Sequence, residues 1–261
     1  MIVVKFGGHA MKDENGSFSA AIIAARAMGE KVVVVHGGGP QIDSALKKAG
    51  IVSEFVGGFR VTTPEILAIV ENELCNEVGP AVALQLINSG VPAISISGRS
   101  FPTLVSVKKR VLVNGSAANL GLVGDVVEVN TQDIQRILDD SSVPVISPLS
   151  ADRDSNDGLN VNADLAAAAI AGALDASVLI IMTDVPGIYR NWPDKSSLIQ
   201  SISADELESI KSTFNGGMAP KVQAVLDAIS QGAKAVRVID GTDAESFHTA
   251  LTGHGGTLVN A

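Results

Sequence analysis

The sequence predicts an α/β protein built on a buried, mainly parallel sheet, and three observations carry that reading. Continuous β-branched runs, Ile2-Val3-Val4-Lys5-Phe6, Lys31-Val32-Val33-Val34-Val35 and Ser177-Val178-Leu179-Ile180-Ile181-Met182-Thr183, lack the polar alternation of half-exposed strands. Segments of helical composition alternate with them: Phe18 to Met28 separates the first two and completes a βαβ unit, and the alanine-rich Leu165 to Leu174 precedes the third. Glycine-rich or polar turns follow the strands, and in an open α/β sheet ligands bind at the carboxyl ends of strands.

A chain of 261 residues, 46% hydrophobic with a mean hydropathy of +0.31, can bury a substantial core as one large domain or two lobes. The net charge of -9 and pI near 4.9 argue against nucleic-acid binding, which needs a basic face. An anionic ligand must then be held by a few placed cations and backbone amides. No apolar run approaches the ~20 residues of a membrane span. The chain opens on Ile2-Val3-Val4 without a charged leader, so a cytoplasmic protein is expected. The single cysteine, Cys75, excludes an intramolecular disulfide and a cysteine metal cage, and stands as a core or interface thiol.

In chain order, Lys5 falls near the end of the first strand, equally a solvated edge residue or a cation placed at the ligand end. His36-Gly37-Gly38-Gly39-Pro40 follows the second strand and opens a helix through Leu46. Its glycines let backbone amides approach a ligand, and the helix N-terminus favours carboxylate or phosphate. The spacing is neither G-x-G-x-x-G nor a P-loop, and His36 has the place of a packed turn histidine, not a base. Arg60, in Gly57-Gly58-Phe59-Arg60, is either a bidentate carboxylate clamp or a surface salt bridge. Thr63 as N-cap and Pro64 at the first position start a long helix toward Asn88.

Val91 to Ser97 is the next strand. Val111-Leu112-Val113 before Asn114-Gly115, with Val126 to Val129, suggests antiparallel strands or a hairpin beside the parallel sheet. Lys108-Lys109-Arg110 reads as a solvated rim. Thr131 or Asn130 caps a short helix to Leu138, and Val143 to Pro148 is a buried strand. The acidic loop from Ala151 to Gly158 lacks the twelfth-position glutamate of a calcium loop. Leu159-Asn160-Val161-Asn162-Ala163-Asp164 then gathers two amides and a carboxylate at the start of the alanine-rich helix, with Asn162 as its cap. Asp184-Val185-Pro186-Gly187 lies at a strand's carboxyl end, the right place for a nucleotide. Asp205 to Lys211 is a helix and Gly216-Gly217 a hinge. Lys221, one turn into the helix of Val222, Val225, Leu226 and Ile229, is a phosphate-reaching cation or an ordinary exposed lysine. Ala235 to Ile239 and Gly255 to Val259 complete the strands.

In this order and over nearly the whole chain, KFGGHAM, HGGGPQI, GFRVT, LNVNAD, TDVPG, GGMAPK and a terminal GGT resemble the amino-acid kinase family, most closely its members acting on N-acetylglutamate. The resemblance implies a three-layer αβα fold, an open, mainly parallel eight-stranded sheet sandwiched between helices, with an acyl-substrate lobe over residues 1–175 and a nucleotide lobe over 176–261. It implies ATP-dependent phosphorylation of the side-chain carboxylate of N-acetyl-L-glutamate, a step of arginine biosynthesis. It further implies Lys5 and Lys221 as catalytic lysines, both organised by Asp164, with Gly38, Gly39, Arg60 and Asn160 at the acyl amino acid. ATP would be held by Gly7, Gly8, Thr183, Asp184, Val185, Gly187, Gly216, Gly217 and Met218, and Mg2+ by the nucleotide phosphates, with no protein metal ligand.

Two features depart from the family pattern. Ser97-Gly98-Arg99-Ser100-Phe101 stands where many relatives carry a Gly-Lys-Asp-Gly hairpin, and no helix precedes the first strand. The second departure implies an arginine-insensitive homodimer joined through the helix after Thr62. The alternatives are a carrier-protein-linked aminoadipate or glutamate kinase, which would need a positive channel at odds with -9, and a non-catalytic binding member of the fold, which has no need for both lysines.

Overall fold

A computed structural model describes residues 1–7, 16–112, 115–155, 157–214 and 218–261. Gly8, Gly216, Gly217, Val113 and Asn114 lie outside the described residues. The first half runs β1 (Ile2–Phe6), α1 (Ser17–Ala27), β2 (Val32–His36), α2 (Gly39–Lys48), β3 (Phe55–Val56), β4 (Phe59–Arg60), α3 (Pro64–Asn72), α4 (Gly79–Asn88), β5 (Ala93–Ser97), β6 (Leu104–Lys108) and β7 (Gly124–Val129). The second runs α5 (Gln132–Asp139), β8 (Val143–Ser147), β9 (Leu149–Asp152), β10 (Gly158–Asn160), α6 (Ala163–Ala173), β11 (Val178–Thr183), β12 (Ser201–Ser203), α7 (Ala204–Ile210), α8 (Met218–Ser230), β13 (Ala235–Asp240), α9 (Ala244–Leu251) and β14 (Thr257–Asn260).

Among the described residues, eight strands form one sheet in the order β12-β14-β13-β11-β1-β2-β8-β5. Neighbours are parallel throughout, except that β13 and β14 are antiparallel. β1 and β11 are neighbours, the chain leaving β1 toward β2 on one side and β11 toward β12 and β13 on the other, so the switch point where such sheets bind ligands lies between them. Alternate residues of the central strands feed two separate cores. Val3, Val33, Leu179 and Ile181 pack with Ala167 of α6 and Val225 of α8, whereas Val4, Val34, Ile180 and Met182 pack with Ile22 of α1 and Leu86 of α4. Burial on both faces is the physical reason that these strands are continuously apolar.

A second, four-stranded sheet runs β10-β9-β6-β7, and β3 with β4 forms a short antiparallel pair. The second sheet corrects the expected hairpin: β7 pairs antiparallel with Leu104–Lys108, and Val111 makes one isolated bridge to Ala117. Burial decides this, because Leu104 is fully enclosed while Val111 is exposed. The basic run is also less solvated than expected. Lys109 Nζ lies 2.7 Å from Asp125 Oδ1 and 4.8 Å over the Phe59 ring. The acidic loop joins β9 to β10, with Asp152 buried and accepting from the Asp154 amide and the Ser155 hydroxyl.

The long helix after Thr63 is capped as expected, its hydroxyl accepting from the Ile66 amide at 3.2 Å, but it is broken by a π-helical turn over Glu73–Val78. Gly79-Pro80 explains the break. Proline removes an amide donor and crowds the carbonyl one turn back, which a wider π-turn accommodates. A Cβ on Gly79 would come within 2.6 Å of Ser95 Oγ, so the glycine also lets α4 lie close to the sheet. Thr131 precedes α5 as expected, but its side chain makes no cap hydrogen bond among the described residues.

Candidate active site

Three strand ends meet at the site: Lys5 and Phe6 of β1 before Gly7, His36 of β2 before Gly37, and Thr183 of β11 before Asp184. Register sets Phe6 beside His36 and Lys5 beside Ile181, bringing together turns remote in sequence. Lys5, 15% exposed at its side chain, extends from the strand end to Asp164, with Nζ 3.2 Å from Oδ1. That buried oxygen accepts no hydrogen bond among the described residues, which leaves it acceptor capacity beyond the ion pair. Gly7 makes room for the lysine, since a Cβ there would stand 3.0 Å from Lys5 Cε.

The stretch from Leu159 to Asp164 serves both the second sheet and α6. Asn160 ends β10, and its amide nitrogen donates to Thr62 Oγ1 at 3.1 Å. Thr62 in turn donates to the Arg60 carbonyl at 2.8 Å, which couples the Asn160 side chain to the arginine's backbone. Asn162 is the N-cap of α6, accepting from the Asp164 and Leu165 amides at 2.8 and 3.2 Å. This cap holds Asp164 in the first helical turn, where the helix dipole favours an anion.

Arg60 is itself buried, and it pairs with a carboxylate that is exposed. Its Nη2 lies 2.7 Å from Asp43 Oδ1 on α2, its Nη1 donates to Ser53, and its guanidinium stacks 4.6 Å from the Phe55 ring centroid. Gly38 precedes α2, whose N-terminus has no side-chain cap, and its own Cβ position is filled by Leu74 Cδ2 at 2.5 Å. Around Gly39 there is open space. Lys5, Gly38, Gly39, Arg60, Asn160 and Asp164 all line one cavity of about 260 Å³. Small-molecule sites span roughly 300–1,000 Å³, and this cavity lies just below that range. Phe55, Phe59 and Leu74 also line it and were not legible as site residues.

On the other side of β1, Thr183 accepts from the Val185 amide at 3.2 Å and donates to the Val185 carbonyl at 3.0 Å, holding the turn that carries Asp184. Lys221, in the first turn of α8, pairs with Asp184, Nζ to Oδ1 2.9 Å. Asp164 therefore pairs with Lys5 here, while Lys221 pairs with Asp184. Gly187 packs against β14, where a Cβ would meet Thr257 Oγ1 at 2.5 Å. Met218 is buried and lines a second cavity of about 190 Å³ with Tyr189, Trp192 and Phe214. The chain's single tyrosine and single tryptophan, both shortly after the TDVPG turn, were the available signal for this aromatic pocket.

His36 is fully buried and behaves as the packed turn histidine expected. Burial pushes its pKa down from 6.5 to about 4, opposed by its hydrogen bond to the Gly37 carbonyl, so the ring is neutral at pH 7. No group of three or more His, Cys, Asp or Glu able to hold a metal occurs among the described residues. Asp164 and Asp184 are each matched to a lysine.

A model of the amino acid kinase family matches residues 1–240. Acetylglutamate kinase of Mycolicibacterium vanbaalenii is 45% identical over 246 residues, 92% of this chain and 83% of that one. Acetylglutamate kinase of Corynebacterium glutamicum is 42% identical over 259 residues, 98% of this chain and 87% of that one. The crystal structure of smu.665 from Streptococcus mutans UA159 is similar with a TM-score of 0.81 at 26% identity, covering 100% of this chain and 98% of that one.

Proposed function

The chain belongs to the amino-acid kinase family, and from that premise we propose that it transfers the γ-phosphoryl group of ATP to the side-chain carboxylate of N-acetyl-L-glutamate. The products are the acyl phosphate and ADP, a step of arginine biosynthesis. The observation that carries this reading is the cavity that unites Lys5, Arg60, Asn160 and Asp164 beside the uncapped N-terminus of α2.

The chemistry needs no strong base, because a side-chain carboxylate with an ordinary pKa of about 4.3 is already ionised at pH 7. What it needs is the alignment of two mutually repelling anions and the neutralisation of charge on the transferring group. Arg60 and Asn160 bind the acyl amino acid and hold its carboxylate toward β1. Lys5, oriented by Asp164, stabilises charge on the attacking side together with the Gly38 and Gly39 amides. Lys221 reaches the phosphates from the leaving side, which requires it to exchange Asp184 for the nucleotide. Magnesium, bound together with the nucleotide, would supply further charge neutralisation at the phosphates.

The division into an acyl-substrate lobe, residues 1–175, and a nucleotide lobe, 176–261, belongs to the same proposal. It is supported by the cavity's lining, which falls wholly in the first, while Thr183, Asp184, Val185, Gly187, Met218 and Lys221 fall in the second. A homodimer through α4 and β5 is proposed on the exposure of Leu84, Ile87 and Ile94 at one edge of the main sheet. No helix among the described residues is long and apolar enough to cross a membrane, and the proposed compartment is the cytoplasm.

Hydroxylamine trapping tests the activity. The protein is incubated with Mg-ATP and hydroxylamine, and N-acetylglutamate, N-acetylaminoadipate or free glutamate is offered separately. Hydroxamate is expected with the first; product only with another acid would overturn the choice of substrate.

A further inference from the structure

We infer that His36, which does not line the cavity, is the positioning residue that aims the Gly38 amide at the transferring phosphoryl group. The inference rests on the activity proposed above and assigns a role to a buried side chain that the chemistry itself leaves unused. The ring is held at both nitrogens. Nδ1 stands 2.7 Å from the Gly37 carbonyl and Nε2 stands 2.9 Å from Ser147 Oγ. A carbonyl oxygen can only accept, so Nδ1 carries the hydrogen and Nε2 is the lone-pair nitrogen; the Ser147 hydroxyl, which also lies 3.1 Å from the Leu74 carbonyl, has one hydrogen to share between that carbonyl and Nε2.

The surroundings leave the ring little freedom. His36 and Ser147 are both fully buried, and a Cβ on Gly79 would stand 3.0 Å from His36 Nε2. Gly37 is held on its other side too, its N–H donating to the Phe6 carbonyl at 2.7 Å. The consequence follows from peptide geometry. The Gly37 carbonyl and the Gly38 N–H belong to one planar trans peptide and point in opposite directions. With the carbonyl turned inward onto the imidazole, the Gly38 N–H is turned outward, and Gly38 lines the cavity. Glycine on both sides of this peptide permits the flipped alternative, which would present a carbonyl oxygen to an anion. His36 removes that alternative, so the amide is already oriented when charge develops on the phosphoryl oxygens.

Two substitutions separate the halves of the ring. In His36→Asn the side-chain amide nitrogen takes the place of Nδ1 and still donates to Gly37; in His36→Gln it reaches the position of Nε2 and keeps contact only with Ser147. With N-acetylglutamate and saturating Mg-ATP, His36→Asn is expected to keep kcat within about threefold of wild type. His36→Gln is expected to lose about 10²-fold, the scale of one misplaced oxyanion donor, with the KM for ATP little changed and circular dichroism like that of the Asn variant. Equal kcat in the two folded variants would overturn the inference. Should either fail to fold, long-range proton–nitrogen NMR of the wild-type protein decides: an Nδ1–H tautomer is expected, and an Nε2–H tautomer contradicts the inference. Wild-type protein that yields no hydroxamate from N-acetylglutamate would be a failure of the proposed activity instead, and the NMR result would still stand separately.

Discussion

The two lysine–carboxylate pairs that flank β1 have the same chemistry and opposite settings. Lys5 and Asp164 are 15% and 24% exposed at their side chains, and each is held by regular structure, the lysine by a central strand and the carboxylate by a capped helix. Lys221 and Asp184 are 24% and 61% exposed, and their carboxylate sits on a turn. The difference teaches how one protein meets two requirements. Under the proposed activity, the pair beside the cavity is pre-organised for the acid, while the pair proposed to face the nucleotide is open enough for a polyphosphate to replace its carboxylate.

The largest effect that sharpens this contrast is on rate. Lys221→Ala should lower kcat by about 10²–10³, the loss of one charge-stabilising donor, while its melting temperature stays near wild type because a pair whose carboxylate is exposed contributes little. Lys5→Ala should lower kcat as much and also cost about 1–3 kcal/mol in urea unfolding, since the Asp164 oxygen is left buried without a partner. Comparable stabilities for the two variants would break the contrast.

Next in size is a pH effect from the buried histidine. The folded-state pKa of His36 is depressed from 6.5 to about 4, so between these values the unfolded chain binds a proton that the native state refuses. Stability from this group is therefore complete above pH 6.5, falls by up to about 1.4 kcal/mol per pH unit as the pH drops toward 4, and levels off below. Urea titrations across that window in wild type and His36→Asn measure it, the variant lacking this slope. Smallest is Asn162→Ala, expected to cost about 1 kcal/mol as a lost cap and to lower kcat modestly through Asp164. An effect on stability with none on kcat would show that the cap does not serve the pair.

Much of the frame was legible because it follows local rules. Strands covered on both faces must be continuously apolar, and this marked β1, β2, β8 and β11; Asn162 and Thr63 cap their helices as their positions suggested. Partner choice was not legible, because it depends on what the fold brings near. Lys221 meets Asp184 across 37 positions of sequence, and Arg60 finds Asp43 on a helix with no motif of its own. The second sheet was half seen, since Leu104–Lys108 alternates weakly and its pairing with β7 is decided by the enclosure of Leu104. The π-turn was foreshadowed by Gly79-Pro80 within an otherwise helical pattern, a signal present in the sequence that the helical periodicity concealed.

The division of labour between the pairs is tested most directly by steady-state kinetics of Asp164→Asn and Asp184→Asn measured side by side with N-acetylglutamate and Mg-ATP. Asp164→Asn is predicted to lose kcat by about 10²-fold, and Asp184→Asn to keep kcat within about threefold while its KM for ATP changes. Equal losses of kcat in the two variants would contradict the account.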